Sequence, residues 1–366
     1  MPKKSTPSRS GTSRRRITPA SLVRQRVRLE REIVTLLNRY ATITRKLGVD
    51  IPDPPPRWQN AFEKAIQTSK GPLTTDTLDR ILRAADSASR QLVEQVRVAY
   101  LGPPYSYSYL AATARFGEGV ELVAAGTIAA VFQLVTEGNV DYGLVPLENS
   151  TDGRVVDTLD MFARVPAQIC DEVQLPVHHN LMGRCERSEI REVYSKPQAL
   201  SQCREWLATH LPAARTVEMT STAAAAQLAA DRDGTAAVAS REAAITYGLD
   251  LIAENIEDRA NNITRFAVIG DHAPQRTGKD KTSLMFEIAH RAGSLADTMA
   301  AFKKANINLT WIESFPVPED RTGYLFFVEM EGHQDDARVK KALAALSRRT
   351  LRLEILGSYP RASRPV

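Results

Sequence analysis

The 366-residue chain is 43% hydrophobic and 25% charged, the balance of an ordinary globular protein of roughly two to four domains. No apolar run approaches the ~18–20 residues that cross a bilayer, which excludes a helical membrane protein, and the N-terminus lacks the apolar core of a secretory signal. Three cysteines, Cys170, Cys185 and Cys203, show no metal spacing, which argues against a disulfide scaffold or structural zinc and for a reducing cytoplasm.

The formal net charge of +5 is concentrated at the start of the chain. Residues 1–20 hold Lys3, Lys4, Arg9, Arg14, Arg15 and Arg16 and no acid, leaving 42 basic residues against 43 acidic ones elsewhere. This Ser/Thr/Pro-rich stretch has almost nothing apolar to bury and reads as a disordered basic tail. Basic arms do bind phosphate, but the body of the chain is not basic enough for a nucleic-acid protein. Residues 21–97 read as an all-α helical domain. Ile33, Leu37, Tyr40, Thr44 and Leu47 recur three and four apart along one face, and Gly48 stops that helix. The prolines of DPPP (53–56) make a stiff connector. A short helix with Trp58, Phe62 and Ile66 on one side follows. A third begins near Thr75, a cap residue, and Leu78, Leu82, Ala85, Leu92 and Val96 continue its apolar face. So small a core is expected to pack against a second copy.

From Val98 to residue 271 the reading is α/β. VAYLG (98–102), YGLVPLEN (142–149), EVYS (192–195), GTAAVAS (234–240) and ITRFAVIG (263–270) are strand-like. Helical patterns fall at 108–116, 127–138, 197–210, 222–231 and 241–248. A polar linker, HAPQRTGKDK (272–281), leads to residues 282–361. These read strand, helix, strand, strand, helix, strand, the order of a ferredoxin-like α+β module.

In the α/β region one device recurs: a strand ends, a hydroxyl residue follows, and a helix starts. Ser106 and Ser108, Ser195, Ser221 with Thr222, and Ser240 stand at such junctions. Plain N-capping accounts for any one of them. Several together point to a small anion near the strand ends, where α/β sheets place ligands. Ser195 reads as the cap of a helix that presents Gln198 and Gln202 on one face. Asn261, Asn262, Thr264 and Arg265 form a second constellation. In a strand Thr264, Phe266 and Val268 share one face and Arg265 and Ile269 the other. Glu148, Asn149 and Ser150 end the strand YGLVPL, as an active-site rim or an ordinary turn would. His178 and His179 are adjacent, face opposite ways in a strand, and supply at most one site residue. No GxGxxG, P-loop, HExxH or GxSxG occurs, so dinucleotide, ATP and standard hydrolase chemistries lack support.

The order and wording of YLGPPYSYSYLAA (100–112), YGLVPLENSTDGRVVDTLDMF (142–162), VYSKPQALSQC (193–203), STAAAAQLA (221–229) and NITRFAVIG (262–270) resemble prephenate dehydratase. Residues 281–333 are similar to the ACT regulatory domain that follows it, and the helical N-terminus looks like the chorismate mutase domain fused ahead of it in bifunctional enzymes. The resemblance implies a two-lobed α/β domain with the site between the lobes, and loss of hydroxide and CO2 from prephenate to give phenylpyruvate without metal or cofactor. It carries catalytic roles to Asn149, Ser195, Gln202 and Thr264, with Thr264 bonding the leaving hydroxide. Arg265 becomes the substrate-carboxylate binder, with Phe266, Glu148, Ser150, Ser106, Ser221 and Thr222 as further substrate-binding residues. Three family positions differ: Tyr105 replaces a glycine, and Tyr109 and Lys196 replace histidines.

In the mutase-like part the expected catalytic arginine falls on Tyr40. The lysine expected after Gly48 has no counterpart, the Arg-Glu pair reads Arg57-Trp58, and the glutamine four residues after Ser89 is Val93. Loss of these charged bonds, worth ~1.5–3 kcal/mol each, implies an inactive or weak mutase retained for dimerisation, unless Arg24, Arg26 or Arg39 compensates. In the ACT-like part Gly293, Ser294 and Leu295, with Glu313 and Ser314, match the motifs for the effector L-phenylalanine, although Phe315 replaces an arginine. The expectation is a cytoplasmic homo-oligomer, dimer or tetramer. The alternatives are a fully bifunctional enzyme, an arogenate dehydratase and a non-catalytic amino-acid sensor.

Overall fold

Three sheets and a helical N-terminal segment make up the chain, in a computed structural model that describes residues 18–47, 64–93, 95–117, 119–316 and 323–362. Residues 1–17, with most of the expected tail, and 48–63, with the DPPP connector, Trp58 and Phe62, lie outside the described residues. Helix Pro19–Leu47 begins inside the stretch expected to be tail, and none of its residues is buried. Helix Thr75–Arg90 packs along it. The cap is Thr74 rather than Thr75, its hydroxyl accepting from the Thr77 N–H, and Leu92 and Val96 lie past the helix end. Ser87 ties this segment to the α/β region: its hydroxyl donates to the Phe116 carbonyl at 2.9 Å and accepts from the Gly119 N–H at 3.2 Å.

The α/β region holds strands β1 (Arg97–Leu101), β2 (Glu121–Ala125), β3 (Tyr142–Asn149), β4 (Gly153–Arg154), β5 (Ile169–Pro176), β6 (Asn180–Gly183), β7 (Glu192–Ser195), β8 (Arg215–Glu218), β9 (Thr235–Ala239), β10 (Asp250–Ala253) and β11 (Ile263–Gly270). They form two sheets, β2-β1-β3-β11-β5 with β4 beside β3, and β10-β6-β9-β7-β8. The chain therefore leaves the first sheet after β5, builds the second, and returns as β11. Two segments, 177–179 and 254–262, cross between the lobes. They are bonded to each other, Val177 N–H to the Asn262 carbonyl and Ile256 N–H to the His179 carbonyl, both at 2.8 Å.

The expected strands are all present, but β2, β4, β5, β6, β8 and β10 were not legible as strands. Of these, β2, β5, β8 and β10 are sheet edges; β2, β8 and β10 are short and mostly unburied, and β5 has its apolar run broken by Asp171, Glu172 and Gln174. The expected helix 197–210 is two, Pro197–Gln202 and Arg204–His210, broken at Cys203.

The third sheet has strands β12 (Asp280–Ile288), β13 (Leu309–Pro316), β14 (Tyr324–Glu331) and β15 (Arg352–Pro360), all antiparallel in the order β13-β14-β12-β15. With helices Ser294–Lys304 and Ala337–Ser347 this is the ferredoxin-like arrangement. Asp280 and Lys281, expected in the linker, are buried in β12. One face of the sheet packs on its helices through Leu284, Phe286, Val328 and Leu346. The other face puts Met285, Phe327, Leu356 and Tyr359 into a core shared with Val145, Leu159, Phe162 and Ile269 of the first lobe. Both faces are covered, which is why all nine residues of β12 are buried.

Candidate active site

The end of β3 and the start of β11 meet in antiparallel register, Asn149 opposite Thr264 and Glu148 opposite Arg265. The Asn149 amide donates to Thr264 Oγ1 at 2.9 Å and to Asn262 Oδ1 at 2.8 Å. Its own Oδ1 accepts from the Thr151 and Asp152 N–H groups at 2.9 and 3.1 Å, which fixes the amide's orientation. Thr264 thus accepts a bond from an amide and keeps its hydroxyl proton to donate.

From the second lobe, helix Pro197–Gln202 delivers Gln202 to the same place. Its Oε1 accepts from Asn262 Nδ2 and faces His179 Nε2, both at 2.8 Å, and its Nε2 donates to Asp152 at 3.0 Å. Because Oε1 only accepts, His179 carries its proton on Nε2, and Nδ1 faces the Tyr107 hydroxyl at 3.1 Å. Burial pushes the His179 pKa down, against the Gln202 bond and the Glu257 and Asp152 charges, which favour the cation. A continuous polar chain, Thr264–Asn149–Asn262–Gln202–His179, therefore crosses from one lobe to the other beside both crossing segments.

Sequence reasoning missed His179 and Asp152 as members. The two histidines do not lie in a strand: they sit in the first crossing, where His179 is buried and His178 is exposed and bonds Glu257 at 2.8 Å. Their place at the crossing, invisible without the sheet topology, is what separates them.

Ser195 does not cap the helix after it. Lys196 stands at that cap without a side-chain bond, and Ser195, the fully buried last residue of β7, donates to the Val238 carbonyl at 2.6 Å. Ser221 and Ser240 come after β8 and β9, which both run parallel to β7, so all three serines lie at one edge of the second sheet. Ser106, Ser221 and Ser240 cap helices by accepting from Tyr109, Ala224 and Ala243 N–H groups. Thr222 is buried in the first turn after Ser221. Ser150 latches the strand ends, donating to the Asn261 carbonyl and accepting from the Ile263 N–H, both at 2.9 Å.

Arg265 and Phe266 do not join this cluster. Phe266 is a core side chain packed with Tyr100, Leu144 and Val173. Arg265 projects from the other face of β11, where its guanidinium bonds Glu148 at 2.8 Å and Glu329 of β14. That is the consequence of the two-residue period of a strand. In the third domain, Gly293 has φ +84° at the cap of helix Ser294–Lys304, and the buried Ser294 hydroxyl has no hydrogen-bond partner among the described residues. Leu295 is partly exposed, Glu313 pairs with Arg154 of the first lobe at 2.6 Å, and Ser314 is exposed on β13. Among the described residues no three His, Cys, Asp or Glu side chains are grouped to hold a metal ion, and no helix is long and apolar enough to cross a membrane.

The sequence profile of prephenate dehydratase matches residues 98–274. A bifunctional chorismate mutase/prephenate dehydratase of Aquifex aeolicus is 38% identical over 346 residues, spanning 92% of this chain and 96% of that protein. The crystal structure of a prephenate dehydratase from Arthrobacter aurescens in complex with L-Phe superposes with a TM-score of 0.70 at 32% identity, over 74% of this chain and 92% of that one. GqqA, a novel type of quorum quenching acylase, superposes with a TM-score of 0.67 at 28% identity, over 73% and 98%. Likeness along nearly the whole chain, with the motifs of residues 100–270 in their order, means that the chain belongs to the prephenate dehydratase family, in its bifunctional chorismate mutase/prephenate dehydratase group.

Proposed function

We propose that the chain converts prephenate to phenylpyruvate in phenylalanine biosynthesis, using the site between its two α/β lobes. The observation that carries this reading is the bonded chain from Thr264 through Asn149 and Asn262 to Gln202. In the reaction the ring C–O bond breaks and hydroxide leaves with its electron pair. The ring–carboxylate C–C bond also breaks, CO2 departs, and that bond's electrons complete the aromatic ring. The Thr264 hydroxyl, held by Asn149, donates a hydrogen bond to the departing oxygen. Aromatisation supplies the driving force, so no strong acid is needed. The substrate is a dianion, and the helix start after Ser221 and the Lys196 ammonium suit it. An acylase reading finds less support: Ser195 spends its proton on a carbonyl, and Thr264 is met by an amide rather than a base.

The helical N-terminus we read as mutase-like and inactive or very weak. Tyr40 stands at the expected arginine, and its hydroxyl bonds Asp86 at 2.7 Å, a carboxylate that Arg90 also pairs at 2.9 Å; an aromatic hydroxyl in the arginine's stead supports the loss of one cation for a dianion. The retained role is dimerisation. The third domain we read as an ACT regulator that binds L-phenylalanine at Gly293–Leu295 and Glu313–Ser314, a reading supported by the unpartnered buried Ser294 hydroxyl and by the L-Phe bound to the Arthrobacter relative. The test is turnover of prephenate, arogenate and chorismate by the purified protein, with Thr264→Ala as control. Prephenate alone should react, and Thr264→Ala should lose about 100-fold or more in kcat. Turnover of chorismate would show that the Tyr40 site still works, and turnover of none would favour the sensor.

A further inference from the structure

We infer that Arg265 is a positioning residue that clamps the catalytic rung of the dehydratase to the C-terminal sheet, and that it does not bind the substrate. The inference rests on the dehydratase reading of the Asn149–Thr264 site. Thr264 and Asn149 form one rung between β11 and β3, and Arg265 and Glu148 form the next, so the second pair faces the opposite side of the sheet. There Arg265 Nη1 donates to Glu148 at 2.8 Å and Nη2 to Glu329, with Glu172 of β5 3.7 Å away and the Trp311 ring of β13 5.3 Å from the guanidinium carbon. Lys281 of β12 donates to Glu172 at 2.7 Å and forms an ion pair with Glu329 at 3.1 Å. Tyr359 of β15 donates to Glu329 at 3.4 Å and meets Ser283 of β12 at 2.6 Å. Each of the four strands of the C-terminal sheet thus contributes to one buried cluster, and so do three adjacent strands of the first lobe.

The inner end of the cluster is closed to a ligand, while Glu148 at its rim keeps 26% of its side chain exposed. Glu329 is fully buried, Glu172 and Lys281 are each 5% exposed, and both ends of the Arg265 fork are taken. A substrate carboxylate would have to displace a glutamate and reach through the sheet. Nor does stability alone explain so many buried charges, because a buried ion cluster adds little over apolar side chains of the same volume. What it adds is direction. A forked guanidinium held at both ends fixes the backbone beside Thr264 relative to β14.

Two measurements test the clamp. The first is steady-state turnover of prephenate by the full chain carrying Glu329→Gln, Arg265→Gln or both, with Arg265→Lys as the conservative variant. Glu329→Gln keeps the shape and lies in the other domain. It should lower kcat about tenfold and leave KM within about twofold. Arg265→Lys should show the same split. The double variant should be no worse than the worse single, because the two residues act as a unit. A tenfold rise in KM with kcat retained in Arg265→Lys would make Arg265 a substrate ligand, and additive losses or an inert Glu329→Gln would equally overturn the clamp. The second measurement is hydrogen exchange at the backbone amides of residues 262–266, which needs no turnover. It should quicken in Glu329→Gln, and unchanged exchange overturns the clamp even if the variant folds poorly elsewhere. A wild-type protein that ignores prephenate would sink the dehydratase reading instead, and leave the exchange result to decide the clamp.

Discussion

At the residue scale, His179 is the group on which Gln202 depends. The imidazole holds Oε1 so that the amide nitrogen faces Asp152. His179→Leu keeps the volume and loses the donor, and kcat on prephenate should fall about tenfold, the worth of one buried hydrogen bond near its upper range. His179→Gln carries a donor at nearly the same reach and should recover most of that loss. Its titration gives a second prediction. Burial holds the folded pKa below the ordinary value of 6.5, so the unfolded chain takes up this proton first as pH falls. The stability tied to neutral His179 is full above pH 6.5 and is lost as pH drops toward the folded pKa. His179→Gln should therefore flatten the acid side of a Tm-against-pH curve. Asn149, Gln202 and Thr264 were legible because each ends or begins a recognisable segment. Asp152 and His179 were not, because only the crossing of the two lobes brings them in. The strand period already sets Arg265 on the face away from Thr264, whereas the resemblance alone gives it a substrate-binding role.

At the element scale, what escaped the sequence was where polar residues and strands coincide. β5 reads ICDEVQLP, and its charges look like loop until Glu172 is seen to bond Lys281 across to the third sheet. The docking of β15 on β5 depends on Gly357. Its φ is +151°, and a Cβ there would lie 2.0 Å from the Ile169 carbonyl oxygen. No flexible tip can give way, since the obstacle is backbone. Gly357→Ala should push β15 off β5 at a cost of about 1–3 kcal/mol or more. Thermal unfolding should begin earlier, and prephenate turnover should fall with it because Tyr359, two residues on, belongs to the Glu329 cluster. An unchanged melting curve with unchanged turnover would mean that the two sheets are not mechanically joined at this point.

At the scale of the whole molecule, the helical, α/β and α+β stretches were readable from composition and periodicity, but their docking was not. Both faces of β12 are buried, so its sequence carries no alternation to announce a second sheet. Helix Pro19–Leu47 presents the converse. Its apolar side chains Leu22, Val23, Val27, Ile33, Val34, Leu36 and Leu37 are 40–62% exposed, and the helix buries none of its residues within one chain. A continuous apolar stripe of this length needs a cover, and a second copy of the same helical segment offers a complementary one. Val27→Asp combined with Val34→Asp puts two charges on that stripe without touching the Asn149–Gln202 site, which lies in the lobes. Light scattering should show the wild-type particle at twice the chain mass or more and the variant at half the wild-type value, with kcat on prephenate unchanged. A variant that keeps its mass would move the subunit contact to another surface. A variant that loses turnover along with its mass would mean that the dehydratase site is completed only in the assembled molecule.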